Sequence, residues 1–263
     1  MFSEALLKEL HLLTRDGQLN QDAKRKLKQI EHLIQFLKPM VDELGLSERP
    51  YSVVDIGSGK SYLGLIMKES LLAEQTRAHL VGLEAREELN KKAIEIAKSQ
   101  KLGRCHFVTT QARDYGAAPA PVGLVVALHA CDRATDEAIV FGLQHSTQHF
   151  ALVPCCQAEL AANFDVDKVG SSLRSLMRFP LHRRSFGAHL TNVLRMLYLE
   201  AHGYKVRVTE FTGFEHTQKN ELILATRHQR SNSAAWKAYQ SLVEEIGVEP
   251  QVLKDHSSRA VHS

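Results

Sequence analysis

Between Gln21 and Leu44 the apolar residues Leu27, Ile30, Ile34, Leu37, Val41 and Leu44 recur at intervals of three and four, the spacing of one helix face. That helix is expected to end near Gly45, and Pro50 then precedes a change of pattern. Short apolar runs follow at Ser52 to Ile56, Ala78 to Leu83, His106 to Thr109, Leu124 to Leu128 and Phe150 to Val153, separated by helical stretches. Five strands alternating with helices imply a parallel sheet with crossover connections. Two more runs, Tyr204 to Thr209 and Glu221 to Ala225, are joined by a polar stretch short enough that they should pair antiparallel. The pattern thus predicts an α/β fold: a seven-stranded, mostly parallel sheet with an antiparallel last strand, plus N-terminal helices. One helix from Ser233 to Ile246, containing Trp236, and a flexible polar tail from Lys254 to Ser263 are expected to close the chain.

A chain of 263 residues with 44% hydrophobic content supports one full-sized core rather than two. Residues 1–50 read as a helical extension, 51–228 as the principal domain, and 229–263 as the C-terminal helix and tail. There is no run of 18 or more apolar residues, and the first residues carry acids without a cleavable apolar region. A cytoplasmic protein without a membrane span or secretion signal is expected. The four cysteines, Cys105, Cys131, Cys155 and Cys156, lack the spacing of a disulfide framework and are expected to be free thiols. The net charge of +3 is ordinary for a soluble enzyme, but its distribution is uneven. Residues 168–199 hold no Asp or Glu, yet include Lys168, Arg174, Arg178, Arg183, Arg184 and Arg195.

The first strand runs into Val53-Val54-Asp55-Ile56-Gly57-Ser58-Gly59-Lys60-Ser61-Tyr62-Leu63-Gly64, a strand, a glycine turn and a helix start in that order. Gly57 and Gly59 permit backbone angles closed to other residues and let a ligand approach the main chain, while Ser58 or Ser61 is placed to cap the helix. Glu84 ends the second strand, where a carboxylate is suited to accept hydrogen bonds from both hydroxyls of a ribose. A nicotinamide dinucleotide usually brings a third glycine, because its pyrophosphate sits against the helix N-terminus. Tyr62 stands at that place, and Asp55 would face an anion unfavourably. A cationic sulfonium ligand with an ammonium group suits Asp55 better, which favours S-adenosylmethionine. Gln111 and Leu128, at the ends of the third and fourth strands, complete the expected cofactor set with Asp55, Gly57, Ser58, Gly59 and Glu84.

Together with this loop, the chain carries His129-x-Cys131 followed by Ala134-Thr135-Asp136, the pair Cys155-Cys156, and His216-Thr217-x-Lys219-Asn220. In these motifs it resembles a Rossmann-like class I methyltransferase, of a branch that includes eukaryotic methyltransferase-like proteins and tRNA 2′-O-methyltransferases. The resemblance spans about Lys24 to Ala225 and implies S-adenosylmethionine as methyl donor. Ser61 and Asp132 depart from it, standing where that family usually has glycine.

Residues directly after the strands of an open parallel sheet line its ligand cleft. The fourth strand leads into His129, Cys131 and Asp132, the fifth into Cys155 and Cys156, and the final connection carries His216, Lys219 and Asn220. His129, Asp132, His216 and Lys219 are candidates for moving a proton or stabilising an oxyanion, with Asn220 beside the acceptor. Cys155 after Pro154 is a candidate nucleophile, although small buried residues lining the cofactor pocket account for the thiols better. A zinc site would need adjacent cysteines to chelate together without any C-x-x-C spacing, so no metal is expected. Arg178, Arg183 and Arg184 beside such a cleft suit phosphate recognition, making RNA the leading acceptor through segment 168–199. A protein or small-molecule acceptor, or a module that binds the cofactor without catalysis, stays open at this point. The sequence leaves the oligomeric state open as well.

Overall fold

A computed structural model describes residues 2–14, 16–19, 21–128, 133–154, 157–164, 171–210 and 221–260. Two helices, α1 (Glu4–Glu9) and α2 (Gln21–Gly45), lead into strand β1 (Tyr51–Ile56) and helix α3 (Tyr62–Ser70). Then come β2 (Ala78–Glu84), α4 (Glu87–Ser99), β3 (Cys105–Thr109), β4 (Val122–Leu128), α5 (Arg133–Gln144) and β5 (His149–Val153). Helices α6 (Glu159–Asn163), α7 (Ser171–Met177) and α8 (Pro180–Ala201) precede β6 (Tyr204–Glu210) and β7 (Glu221–Arg227). Helices α9 (Ser233–Ile246) and α10 (Gln251–Ala260) end the described chain.

The strands form one sheet in the order β3-β2-β1-β4-β5-β7-β6. β1 to β5 pair in parallel, and β7 runs antiparallel to both β5 and β6, as the sequence pattern predicts. The strand alternation explains why two helical layers are needed. Val53, Leu80, Leu124, Val126, Ala151 and Leu222 face α2 and α3, while Val54, Val81, Val125, Phe150, Leu152 and Ile223 face α5, α8 and α9. Because Leu27, Ile30, Leu33, Leu37 and Val41 of α2 share a core with the strands, the N-terminal extension is packed onto the sheet.

Strand order reverses between β1 and β4, so the connections leaving them diverge and open a crevice at their carboxyl ends. The antiparallel β7 places Glu221 at this same edge, since Leu152 is registered with Ile223.

One expectation needs correction. The polar end expected as a flexible tail from Lys254 is helical to Ala260. Leu253 is fully buried, and the Tyr198 hydroxyl bonds the Leu253 carbonyl at 3.4 Å and His256 Nδ1 at 2.7 Å. Burying one leucine contributes about 1.5 to 3 kcal/mol towards docking this otherwise polar helix.

Candidate cofactor and acceptor site

The buried run of β1 delivers Asp55 to the base of the glycine loop and ends at Gly57. Gly57 and Gly59 have φ of +68° and +56°, and nothing lies within 4 Å of a side chain built at Gly57. Conformation, rather than crowding, therefore requires glycine at that point. Ser61 adopts a left-handed conformation that favours glycine, with φ 57° and ψ 28°, at a cost of about 1 to 2 kcal/mol. Main-chain bonds fix the loop: Gly57 and Ser58 donate to the Leu83 carbonyl, and Ser61 donates to that of Ser58 at 2.7 Å.

Neither serine caps α3 through its side chain, contrary to the expectation. Ser61 makes no capping bond, and the hydroxyls of Ser58 and Ser61 are buried without a partner. The Asp55 carboxylate lies against Gly64 in the first turn of α3 instead. Burial raises its pKa to about 7, the nearby Glu84 charge acting in the same direction and the Gly64 backbone against it. One of its oxygens is buried and unpartnered.

Glu84 ends β2 with a carboxylate only 7% exposed. Oε2 accepts from Gly59 N at 2.9 Å, which ties the end of β2 to the loop. Arg86 supplies the other contacts, from its main-chain N–H and Nε to Oε1 and from a terminal nitrogen to Oε2. The Arg86 hydrogen bonds, chiefly that of its side chain, hold Glu84 below the usual carboxylate range, against its partial burial. Beneath this corner Asn90 Nδ2 bonds the Glu84 carbonyl at 2.9 Å and Thr109 Oγ1 at 3.0 Å, joining the ends of β2 and β3. Gln111, exposed, follows β3, and half-buried Leu128 ends β4 on the same edge.

These residues fit S-adenosylmethionine. An open glycine backbone and the unsatisfied Ser58 hydroxyl adjoin a carboxylate suited to a ribose. They fit a pyrophosphate poorly, because Asp55 already occupies the α3 N-terminus where the anion would sit.

On the acceptor side, His129, Asp132, Cys131, Cys155, Cys156, His216, Lys219 and Asn220 lie outside the described residues. What is described there is a polar network that sequence reasoning missed. Arg195, wholly buried, donates through Nε to Asp136 Oδ1 at 2.7 Å and through a terminal nitrogen to Oδ2 at 3.0 Å. Its remaining nitrogen reaches Asn192 Oδ1 at 3.1 Å. Asn192 in turn bonds Glu221 Oε2 at 2.5 Å and receives Gln157 Nε2 at 3.4 Å. Arg195 therefore leaves the basic surface expected of it, paired in the interior with Asp136 of the Ala-Thr-Asp motif.

The remaining basic residues sit differently. Arg178 and Arg184 are exposed and Arg183 half-buried, around the start of α8. Phe179 and Leu181 beside them are 55% and 73% exposed. Phe186, the next aromatic along α8, packs against Phe164. Of the cysteines, Cys105 is described, a free thiol on β3 whose pKa burial pushes up to about 11. No helix among the described residues is long and apolar enough to cross a membrane.

Among solved structures the chain is similar to the SAH-bound Podospora anserina methyltransferase PaMTH1, at 15% identity and TM-score 0.49, covering 86% of this chain and 89% of that one. It is also similar to M. capricolum TrmK in complex with S-adenosyl-homocysteine, at 9% identity and TM-score 0.42, over 73% and 69% of the two chains. A third is an rRNA methylase from Streptococcus thermophilus, at 10% identity and TM-score 0.43, over 76% and 94%. No curated protein matches the chain. A family model described as a methyltransferase domain matches residues 25–163, more than half of the sequence and the whole of the loop, Glu84 and β4 to β5 region built above, and the chain belongs to that family.

Proposed function

We propose that this methyltransferase uses S-adenosylmethionine to methylate RNA, either tRNA or rRNA, by in-line transfer. The observation that carries the RNA acceptor is the exposed cluster of Arg178, Phe179, Leu181 and Arg184 at the start of α8. One turn further on, Ser185 and His189 line a cavity with Pro154 at the end of β5, so the cluster borders the sheet edge where the acceptor would lie. Guanidinium groups hold phosphates through paired hydrogen bonds, and an exposed aromatic ring offers a face on which a base stacks. The resemblance to the tRNA-modifying branch, in the His-x-Cys, Cys-Cys and His-Thr-x-Lys-Asn motifs, supports the same reading.

When bound, the cofactor supplies a methyl group on a positively charged sulfur. The glycine loop would hold it against the end of β1, with Glu84 accepting from its ribose hydroxyls. His129, Asp132, His216 and Lys219 are proposed, from their sequence positions, to take the acceptor's proton or steady the developing charge. The test is to incubate the full chain with methyl-labelled cofactor and separated RNA, protein and small-molecule extracts. Label in RNA supports the proposal. Label confined to protein or metabolites, or none despite cofactor binding, replaces it by one of the other acceptor classes or by a non-catalytic module.

A further inference from the structure

The cavity at the end of β5 has a polarity that the buried network fixes. Arg195 is held by Asp136 and has only donors, so the Asn192 atom facing it must be the carbonyl oxygen. Asn192 then turns its amide nitrogen to Glu221, which as a carboxylate only accepts, and that is the arrangement observed. The Gln157 atom directed at the Asn192 oxygen must be its nitrogen, and this leaves the Gln157 carbonyl. Gln157 is 2% exposed and lines the cavity, and its Oε1 has no partner. A buried carbonyl without a donor costs about 1 to 3 kcal/mol, so a ligand donor that satisfies it is strongly favoured. Glu221 lines the same cavity and takes one hydrogen from Asn192 and one from His189 Nδ1 at 3.2 Å, leaving a lone pair on each oxygen.

The wall therefore offers acceptors where a ligand must offer donors. The cavity is small, about 50 Å3, the size of an amino-bearing edge rather than a whole base. Of the four RNA bases only guanine carries two adjacent N–H donors on one edge, the ring N1–H and the 2-amino group. A cationic protein side chain would also bring donors, but the exposed Arg178 and Arg184 on the same end of α8 disfavour a second cation nearby. We infer that this cavity is a recognition subsite for the donor edge of a guanine, read by the Gln157 carbonyl and the Glu221 carboxylate. The inference rests on the RNA reading for its biological setting, while the chemistry of the subsite is testable apart from it.

The probe is guanosine against inosine, which differs only in lacking the 2-amino group. Binding to the full chain is followed by ligand-observed NMR with the cofactor present. Guanosine should bind roughly tenfold more tightly than inosine, the effect of one hydrogen bond to a buried or charged acceptor. Glu221→Gln and Gln157→Met should each bring the ratio close to one while leaving cofactor affinity within twofold. Glu221→Gln, at a partly exposed position able to keep the Asn192 contact, remains informative if Gln157→Met fails to fold. Equal binding of the two nucleosides by the wild type overturns the subsite, as does arginine amide binding in preference to guanosine. A guanosine preference without label entering RNA keeps the subsite and removes the RNA reading. Label entering RNA with no nucleoside preference does the reverse.

Discussion

Arg195 and Asp136, 59 positions apart, meet in a bidentate pair at 2.7 and 3.0 Å with neither side chain open to water. The pair clamps the first turn of α5 to the middle of α8 and orients Asn192, through which it reaches Gln157 and Glu221. Removing one partner strands a buried charge, so Asp136→Ala should lose about 3 to 5 kcal/mol of stability, measured by urea unfolding. Replacing both residues by apolar ones of similar size, Asp136→Leu with Arg195→Met, should recover much of that loss. A single variant as stable as wild type would mean that the charge finds another partner.

Glu84 and Arg86 form a second pair with the opposite character. All four lone-pair directions of the Glu84 carboxylate are taken, three of them by Arg86, whose own side chain is 62% exposed. A ribose can bond this carboxylate only after the Arg86 side chain has moved out. Glu84→Ala should therefore weaken S-adenosylmethionine binding by about 1.5 to 3 kcal/mol, the loss of hydrogen bonds to a charged group. Arg86→Ala should bind the cofactor as tightly as wild type or more so. Calorimetry showing the Arg86 variant weakened as much as the Glu84 variant would make Arg86 part of the pocket rather than its competitor.

The sheet was legible because β1, β2, β4 and β5 are near-continuous apolar runs buried on both faces, and the edges of all seven strands shifted by only one or two residues. The glycine loop and Glu84 were legible because the turn demands positive φ and the acid follows a strand. Arg195 was misread because charge in an acid-free segment looks like surface. Yet it falls on the stripe of Gly187, Thr191, Leu194 and Tyr198 that α8 buries, a helical spacing that the amino-acid order itself displays. Helix α10 was not legible, since one buried leucine in an otherwise polar stretch shows no apolar face in the sequence, and its contacts with Tyr198 come from a different helix. Gln157 and Glu221 carried no motif, and only the fold brings them to one cavity.

Asp55 predicts a pH dependence of its own. Its folded pKa of about 7 lies above the ordinary 3.8, so the native state holds the proton more tightly than the unfolded one. The stability this contributes is fully present below the ordinary value and is lost as pH rises through about 7. Asp55→Asn cannot ionise and keeps nearly the same shape beside Gly64. Its stability relative to wild type should therefore improve steadily between pH 4.5 and 7.5, by an amount on the order of a few kcal/mol. A difference that stays flat across this range would place the Asp55 carboxyl in contact with water or a cation.

The start of α8 provides the last test, because its charged and aromatic residues should fail in different ways. Changing Arg178, Arg183 and Arg184 together to Gln should leave cofactor affinity intact, since the residues proposed to hold the cofactor lie at the ends of β1 to β4, away from α8. RNA affinity should fall, and the slope of its logarithm against that of salt should flatten by roughly one unit for each phosphate no longer held. Phe179→Ala removes an exposed ring without charge. If a base stacks there, affinity should drop by about 1 to 3 kcal/mol while the salt slope is kept. Fluorescence anisotropy with a short single-stranded RNA over a salt series separates the two effects. If the triple variant binds as wild type does at every salt concentration, these arginines are a solvated surface, and the acceptor must be sought among proteins or metabolites.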